Sequence, residues 1–172
     1  MHRYPLLPDH IRTALAKIEP SRDGNVSYNP CSVLLRDSQV LPAVYVISEE
    51  PYLKHWGIYP ENDKGKSWIR IEDVIGVEES PLRLPARFAN ELYKQGESGM
   101  GYTVFTIVFG DGQEQPCITG NAVDFIRYPI GKGPDDVVAV RPHQGAGMIP
   151  QRARLTGIGA STVNDQHSSS SP

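Results

Sequence analysis

The segment YTVFTIVFGDGQEQPCIT, residues 102–119, decides how this chain folds. A strand with one face in water alternates apolar and polar side chains. The run from Tyr102 to Phe109 is instead apolar on both faces, which places it inside a sheet. Gly110-Asp111-Gly112 follows, and Asp-Gly readily takes the positive φ values of a tight hairpin. Residues 114–119 are then the return strand. Pro116 has no N–H to donate, so this strand belongs at a sheet edge or a bulge. A central strand with a hairpin partner makes the core antiparallel.

Working outward, PARFANELYKQ (85–95) predicts a helix with Phe88, Leu92 and Tyr93 on its buried side and Gly96 as its stop. Leu7, Ile11, Ala14, Leu15 and Ile18 recur at helical spacing and predict a first helix over 8–18. Residues 31–35 and 40–47 read as strands joined by the turn RDSQ (36–39). Pro42 pushes its end of the second strand toward an edge or a bulge. Residues 49–56 read as one helical turn capped by Ser48. A loop, YPENDKGKS (59–67), precedes two short strands, or one bent strand, over 68–71 and 74–78. Further strands are expected at 122–127 and 137–141.

Local connections dominate this order. The expected fold is α+β: a bent, largely antiparallel sheet or small β-barrel or roll, with two packed helices. It occupies residues 1–143 as a single domain. Residues 144–172 hold few large apolar side chains and end in a serine run, and are expected to be a flexible, low-complexity tail.

Seventeen basic and 20 acidic side chains leave a net charge of −3. That balance gives no electrostatic ground for general nucleic-acid or anionic-membrane binding. The first residues, MHRYPLLPDHIRTAL, lack the apolar core of a signal peptide. The longest apolar run falls far short of the ~20 residues of a membrane-spanning helix. Cys31 and Cys117 sit in strand-like segments and read as buried thiols, with the cytoplasm as the expected compartment.

Chemistry-bearing motifs are few. GESGMGYT (96–103) is one residue from a nucleotide phosphate loop. Tyr102 stands where that loop needs Lys, however, and a helix precedes it where a strand should. A nucleophile elbow at Ser98 fails because Met100 replaces its last glycine. Glu49, Glu50 and His55, like Asp135, Asp136 and His143, lack metal-ligand spacing. No catalytic residue, metal or cofactor is assigned, and the balance leans away from an enzyme.

Two binding patterns remain. Arg83 and Arg87 form R-x-x-x-R, followed by Ser98-x-x-Gly101. The set resembles PilZ domains, β-barrels that bind cyclic di-GMP through R-x-x-x-R and a later [DN]-x-S-x-x-G. Gly96 occupies the acidic or amide position here, and a helix is predicted between the two halves, so membership is not claimed. The resemblance implies a phosphate-bearing ligand or nucleotide held by Arg83, Arg87, Ser98, Gly99 and Gly101. The second pattern is an acidic, aromatic stretch. Eight carboxylates against four basic residues lie between Ser48 and Ser80. The same region crowds together Tyr45, Tyr52, Trp56, Tyr59 and Trp68. Tyr and Trp bury area while keeping a polar tip, which suits protein contacts. The leading expectation is therefore a non-enzymatic binding or protein-interaction module using Glu49, Glu50, Tyr52, Trp56, Tyr59 and Trp68. A phosphate-ligand sensor is the alternative, and an enzyme of unrecognised type is third. Oligomeric state is not legible.

Overall fold

The computed structural model describes residues 4–143 and, as backbone, the strand 161–165. In chain order the elements are α1 (Asp9–Leu15), β1 (Ser21–Asp23), β2 (Val26–Leu35), β3 (Val40–Ser48), α2 (Glu49–Trp56), β4 (Ser67–Trp68) and β5 (Val74–Glu78). There follow α3 (Ala86–Gln95), β6 (Thr103–Phe109), β7 (Glu114–Thr119), β8 (Val137–Pro142) and β9 (Ser161–Asp165). The architecture is α+β, with two largely antiparallel sheets. Residue contacts group the chain into two compact units. One comprises 4–20, 25–80 and 161–165, the other 21–24 and 81–143.

In the second unit β6 is the middle strand, antiparallel to β7 on one edge and to β8 on the other. Phe105, Ile107 and Phe109 share one face and are fully buried. On the other face Thr106 is buried while Val104 and Val108 are half-buried, so the two faces are covered unequally. Helix α3 buries Phe88, Ala89 and Leu92 into the same cluster as Phe105 and Ile107. It ends at Gly96, whose φ of 85° with an extended ψ of 178° is a backbone conformation open almost only to glycine. The Asp111-Gly112 turn closes the β6–β7 hairpin, with Gly112 at φ 86°. Pro116 lies on β7 opposite Thr106, on an edge strand, where its missing N–H interrupts no ladder.

In the first unit β2 pairs with β3 on one side and β5 on the other, both antiparallel. Between the pairs Cys31↔Val44 and Val33↔Leu41, Pro42 and Ala43 oppose the single residue Ser32. This is the bulge that Pro42 signalled. β3 is buried from Ala43 to Ile47 without a break. Val44 and Val46 face a cluster with Leu7, Ile11, Leu15 and Ile18, which α1 and its flanks supply. By alternation Tyr45 faces the other way, where its ring meets Tyr28 edge-on at 5.8 Å. Helix α2 covers that second face, since Tyr28 also meets Trp56 at 6.1 Å.

Four features differ from the sequence reading. Residues 49–56 make a full helix rather than one turn. Pro51 sits in its first turn, where the N–H has no intrahelical partner to lose, and Gly57 ends it at φ 67°. Residues 122–127 form no strand. They are held across 82–84 by an isolated Arg83↔Phe125 bridge and by the bonds Leu84 N–H to Asp124 O and Ile126 N–H to Leu82 O, both 2.7 Å. Ser21–Asp23, for which the sequence predicts no element, is a short strand. Ser161–Asp165, within the expected tail, is strand β9, parallel to both β3 and β4. The remainder of that expected tail, 144–160 and 166–172, lies outside the described residues.

Replacing Phe105 tests the core of the second unit. Its side chain is fully enclosed, so Phe105→Ala should cost about 3–5 kcal/mol in urea unfolding. Val138→Ala, on an exposed position of β8, should stay within about 0.5 kcal/mol. A loss below about 1 kcal/mol for Phe105→Ala would contradict the assigned packing.

Candidate functional site

The acidic, aromatic stretch is assembled within the first unit. Tyr52 and Trp56 stand one helical turn apart on α2 and stack at 4.6 Å. Lys66, arriving from the loop, lies 4.4 Å from the Trp56 ring centre and 5.0 Å from that of Tyr52. Its ammonium donates to the Tyr52 hydroxyl at 3.2 Å and pairs with Asp63 at 3.2 Å. Asp63 also accepts the Gly65 N–H, and that bond, with Lys66 beside it, holds its carboxyl below the usual value. A cation over two aromatic faces is worth about 0.5–2 kcal/mol. The loop is thus tied down onto α2.

The expected contact residues divide by burial. Tyr52 is buried and serves the fold, sealing the second face of the sheet. Trp56, Tyr59, Trp68 and Glu49 are half-buried, and Glu50 is exposed. Half-burial leaves the aromatic rings anchored and still able to touch a partner.

Trp68 forms one wall of a cleft of about 280 Å³ that Tyr4, Pro5, Glu61, Ile69, Arg70, Ile71 and Glu72 complete. Tyr4 is buried beside it, with ring centres 5.6 Å from Trp68 and 6.3 Å from Tyr59. The Tyr4 hydroxyl donates to the Glu61 carboxylate. Arg70 and Glu72, both well exposed, form a loose 3.8 Å pair at the rim. The floor is therefore aromatic and aliphatic, and the rim carries two carboxylates and one guanidinium. Sequence reasoning found Trp68 but missed Tyr4, since nothing local ties residue 4 to residue 68.

No match is found in comparisons with protein-family models, curated proteins or solved structures.

The residues of the phosphate-ligand pattern all lie in the second unit, with different surroundings. Arg83 is buried at 1% exposure, and its guanidinium donates to Ser21 Oγ at 3.4 Å. Ser21 in turn donates to Asp124, which also accepts the Tyr93 hydroxyl. Tyr128 donates to the Arg83 carbonyl at 2.7 Å. Arg83 thus belongs to a buried polar network that no local motif announces. Arg87 is exposed on α3, and its guanidinium lies 4.5 Å from the Phe88 ring centre. Ser98 Oγ accepts the Val104 N–H and donates to the His143 carbonyl, both at 2.8 Å. The Gly101 N–H donates to the Glu97 carboxylate at 2.9 Å, and the Ser98 and Gly99 N–H groups donate to Tyr102 O. Gly99 faces the Tyr102 ring so closely that a Cβ there would lie 2.4 Å from it. The Ser98, Gly99, Gly101 and Tyr102 amides are thus bonded within the chain itself, with Glu97 supplying a negative group.

Among the described residues no helix is long and apolar enough to cross a membrane. Both thiols are buried in apolar clusters, Cys31 with the first unit's core and Cys117 with the second's. Burial pushes the Cys117 thiol from 9.0 up to about 12. It also raises Tyr128, with the neighbouring Cys117 and Asp135 adding to the effect. Both groups are neutral in the folded state at neutral pH, and their unfolded forms ionise first as pH rises. Their contribution is therefore intact below pH 9 and is lost as pH climbs from 9 toward 12. Urea midpoints should hold level from pH 7 to 9 and fall above it. Cys117→Val should make the fall shallower by up to about 1.4 kcal/mol per pH unit, one proton's worth. An unchanged slope would remove Cys117 from this account.

Proposed function

We propose that the protein is a non-enzymatic interaction module of the cytoplasm. The observation that carries this reading is the cleft walled by Tyr4 and Trp68, beside the half-buried Trp56 and Tyr59. Its volume of about 280 Å³ lies just under the ~300–1,000 Å³ of typical small-molecule sites. A space of that size suits one anchoring side chain from a protein partner better than a whole cofactor. Aromatic walls favour an aliphatic or aromatic anchor, because they gain from burial without needing a charged mate. The exposed rim carboxylate Glu72 and the acidic first turn of α2, Glu49 and Glu50, favour basic residues flanking that anchor. Such charges act mainly on encounter rate and partner choice, while the buried anchor sets the lifetime of the complex.

The test is capture of a protein partner from native lysate, followed by titration of the identified partner. Trp68→Ala should weaken binding about 30-fold or more, the effect of losing a contact worth ~2 kcal/mol at a hot spot. Reversal of Glu49 and Glu50 to Lys should slow association about tenfold and flatten its salt dependence. Melting temperature is followed in both variants to separate loss of binding from loss of fold. A folded Trp68→Ala protein that binds as well as the parent would rule out the cleft.

A further inference from the structure

Strand β3 has two pairing edges. One is taken by β2, its neighbour through a tight turn at Ser38. The other is taken by β9, which arrives from more than 100 positions further along the chain and runs parallel to β3 over Val44↔Ser161 to Ser48↔Asp165. β4 joins the sheet through β9, by Ser67↔Ser161 and Trp68↔Thr162. Remove β9 and a slot opens between β3 and β4. The exposed β3 edge would run through Val44, Tyr45, Val46 and Ile47, all buried, and its N–H and C=O groups would lack partners. An apolar, unpaired edge is a template for another strand.

We propose that this slot is a strand-binding site, and that the strand 161–165 of a second copy of this chain can occupy it, joining two copies by exchange. Three observations support that occupant. The segment that fits the slot in parallel register is already defined as 161–165, and every copy carries it. The pairing is parallel and five residues long, a weaker ladder per residue than an antiparallel one. Residues 144–160, about 17 in number, span up to ~60 Å at full extension, so chain length alone does not confine the strand to its own slot. Exchange of an identical element creates no new contact chemistry, which makes it a low-cost route to a dimer. The tether gives the chain's own strand a local concentration of order millimolar, so the closed monomer prevails when the protein is dilute. The slot reading does not depend on the Trp68 cleft.

The test uses the full chain. Val163→Pro places a residue without an N–H, and with a restricted backbone, in the middle of β9 and should vacate the slot. A fluorescent peptide, ASTVNDQ (160–166), should bind that variant at least tenfold more tightly than it binds the parent. The same peptide with Pro at 163 should bind neither. Sedimentation should show the parent monomeric at micromolar concentration and forming dimers as millimolar is approached, with Val163→Pro remaining monomeric. Folded Val163→Pro that takes up no peptide overturns the slot. Peptide binding without parental dimers assigns the slot to a foreign strand and overturns the second-copy occupant. If Val163→Pro does not fold, Val163→Gly takes its place, and a folded glycine variant binding no more peptide than the parent is equally decisive against it.

Discussion

Backbone hydrogen bonding of β3 is the constraint on which the first unit depends. Val44 and Val46 are buried on the α1 side, and Tyr45 on the α2 side. With both faces covered, the main-chain groups of this strand have only its two edges through which to find partners. An unmet amide or carbonyl there would cost about 1–3 kcal/mol each. Five consecutive buried residues, Ala43 to Ile47, make a bare edge a heavy cost against a total stability of about 5–15 kcal/mol. The hairpin to β2 satisfies one edge locally. The other is satisfied from the far end of the chain, by β9. The second unit meets the same demand differently: β6 is flanked by β7, through the short Gly110-Asp111-Gly112 turn, and by β8.

The same burial fixes what is left for binding. Covering the second face of β3 requires large apolar side chains on α2, and Tyr52 and Trp56 supply them as a stacked pair. Tyr52 is used up in this role. Lys66 crosses both rings and ties the loop above them through Asp63, so the aromatic cluster is held rigidly. Rings already ordered in the free protein lose little further freedom on binding, which is where preorganised contacts gain affinity. Residues at the margin of the cluster, Trp68 above all, are both anchored by the fold and open to a partner.

Much of the fold was legible because its signals are local. The apolar run 102–109, the Asp111-Gly112 turn and the periodic apolar face of 85–95 each act over a few residues, and each forms where it was read. Pro42 marked a bulge for the same reason. Features set by distant partners escaped. Nothing in STVND distinguishes a strand from a tail until β3 offers an edge, and residues 122–127 resemble a strand but are held across residues 82–84 by an isolated bridge. Arg83 is the clearest case at the level of sites. Spacing made it half of a phosphate clamp, whereas Ser21 and Asp124, some 62 and 41 positions away, make it part of a buried network. Local spelling reports residue type and spacing; it cannot report whether a charge meets water or a buried acceptor.

β4 is where the two proposed activities come closest. It is only Ser67 and Trp68, too short to hold itself in a sheet, and it is paired through β9. The Trp68 backbone therefore takes its position from strand 161–165, while its side chain forms a wall of the cleft. Vacating the slot frees the backbone that carries that wall. A cleft contact dependent on Trp68 is then coupled to slot occupancy: partner binding that orders Trp68 favours the filled slot, and by linkage a filled slot favours partner binding. The coupling is insensitive to which copy supplies the strand, because β4 meets the same backbone either way.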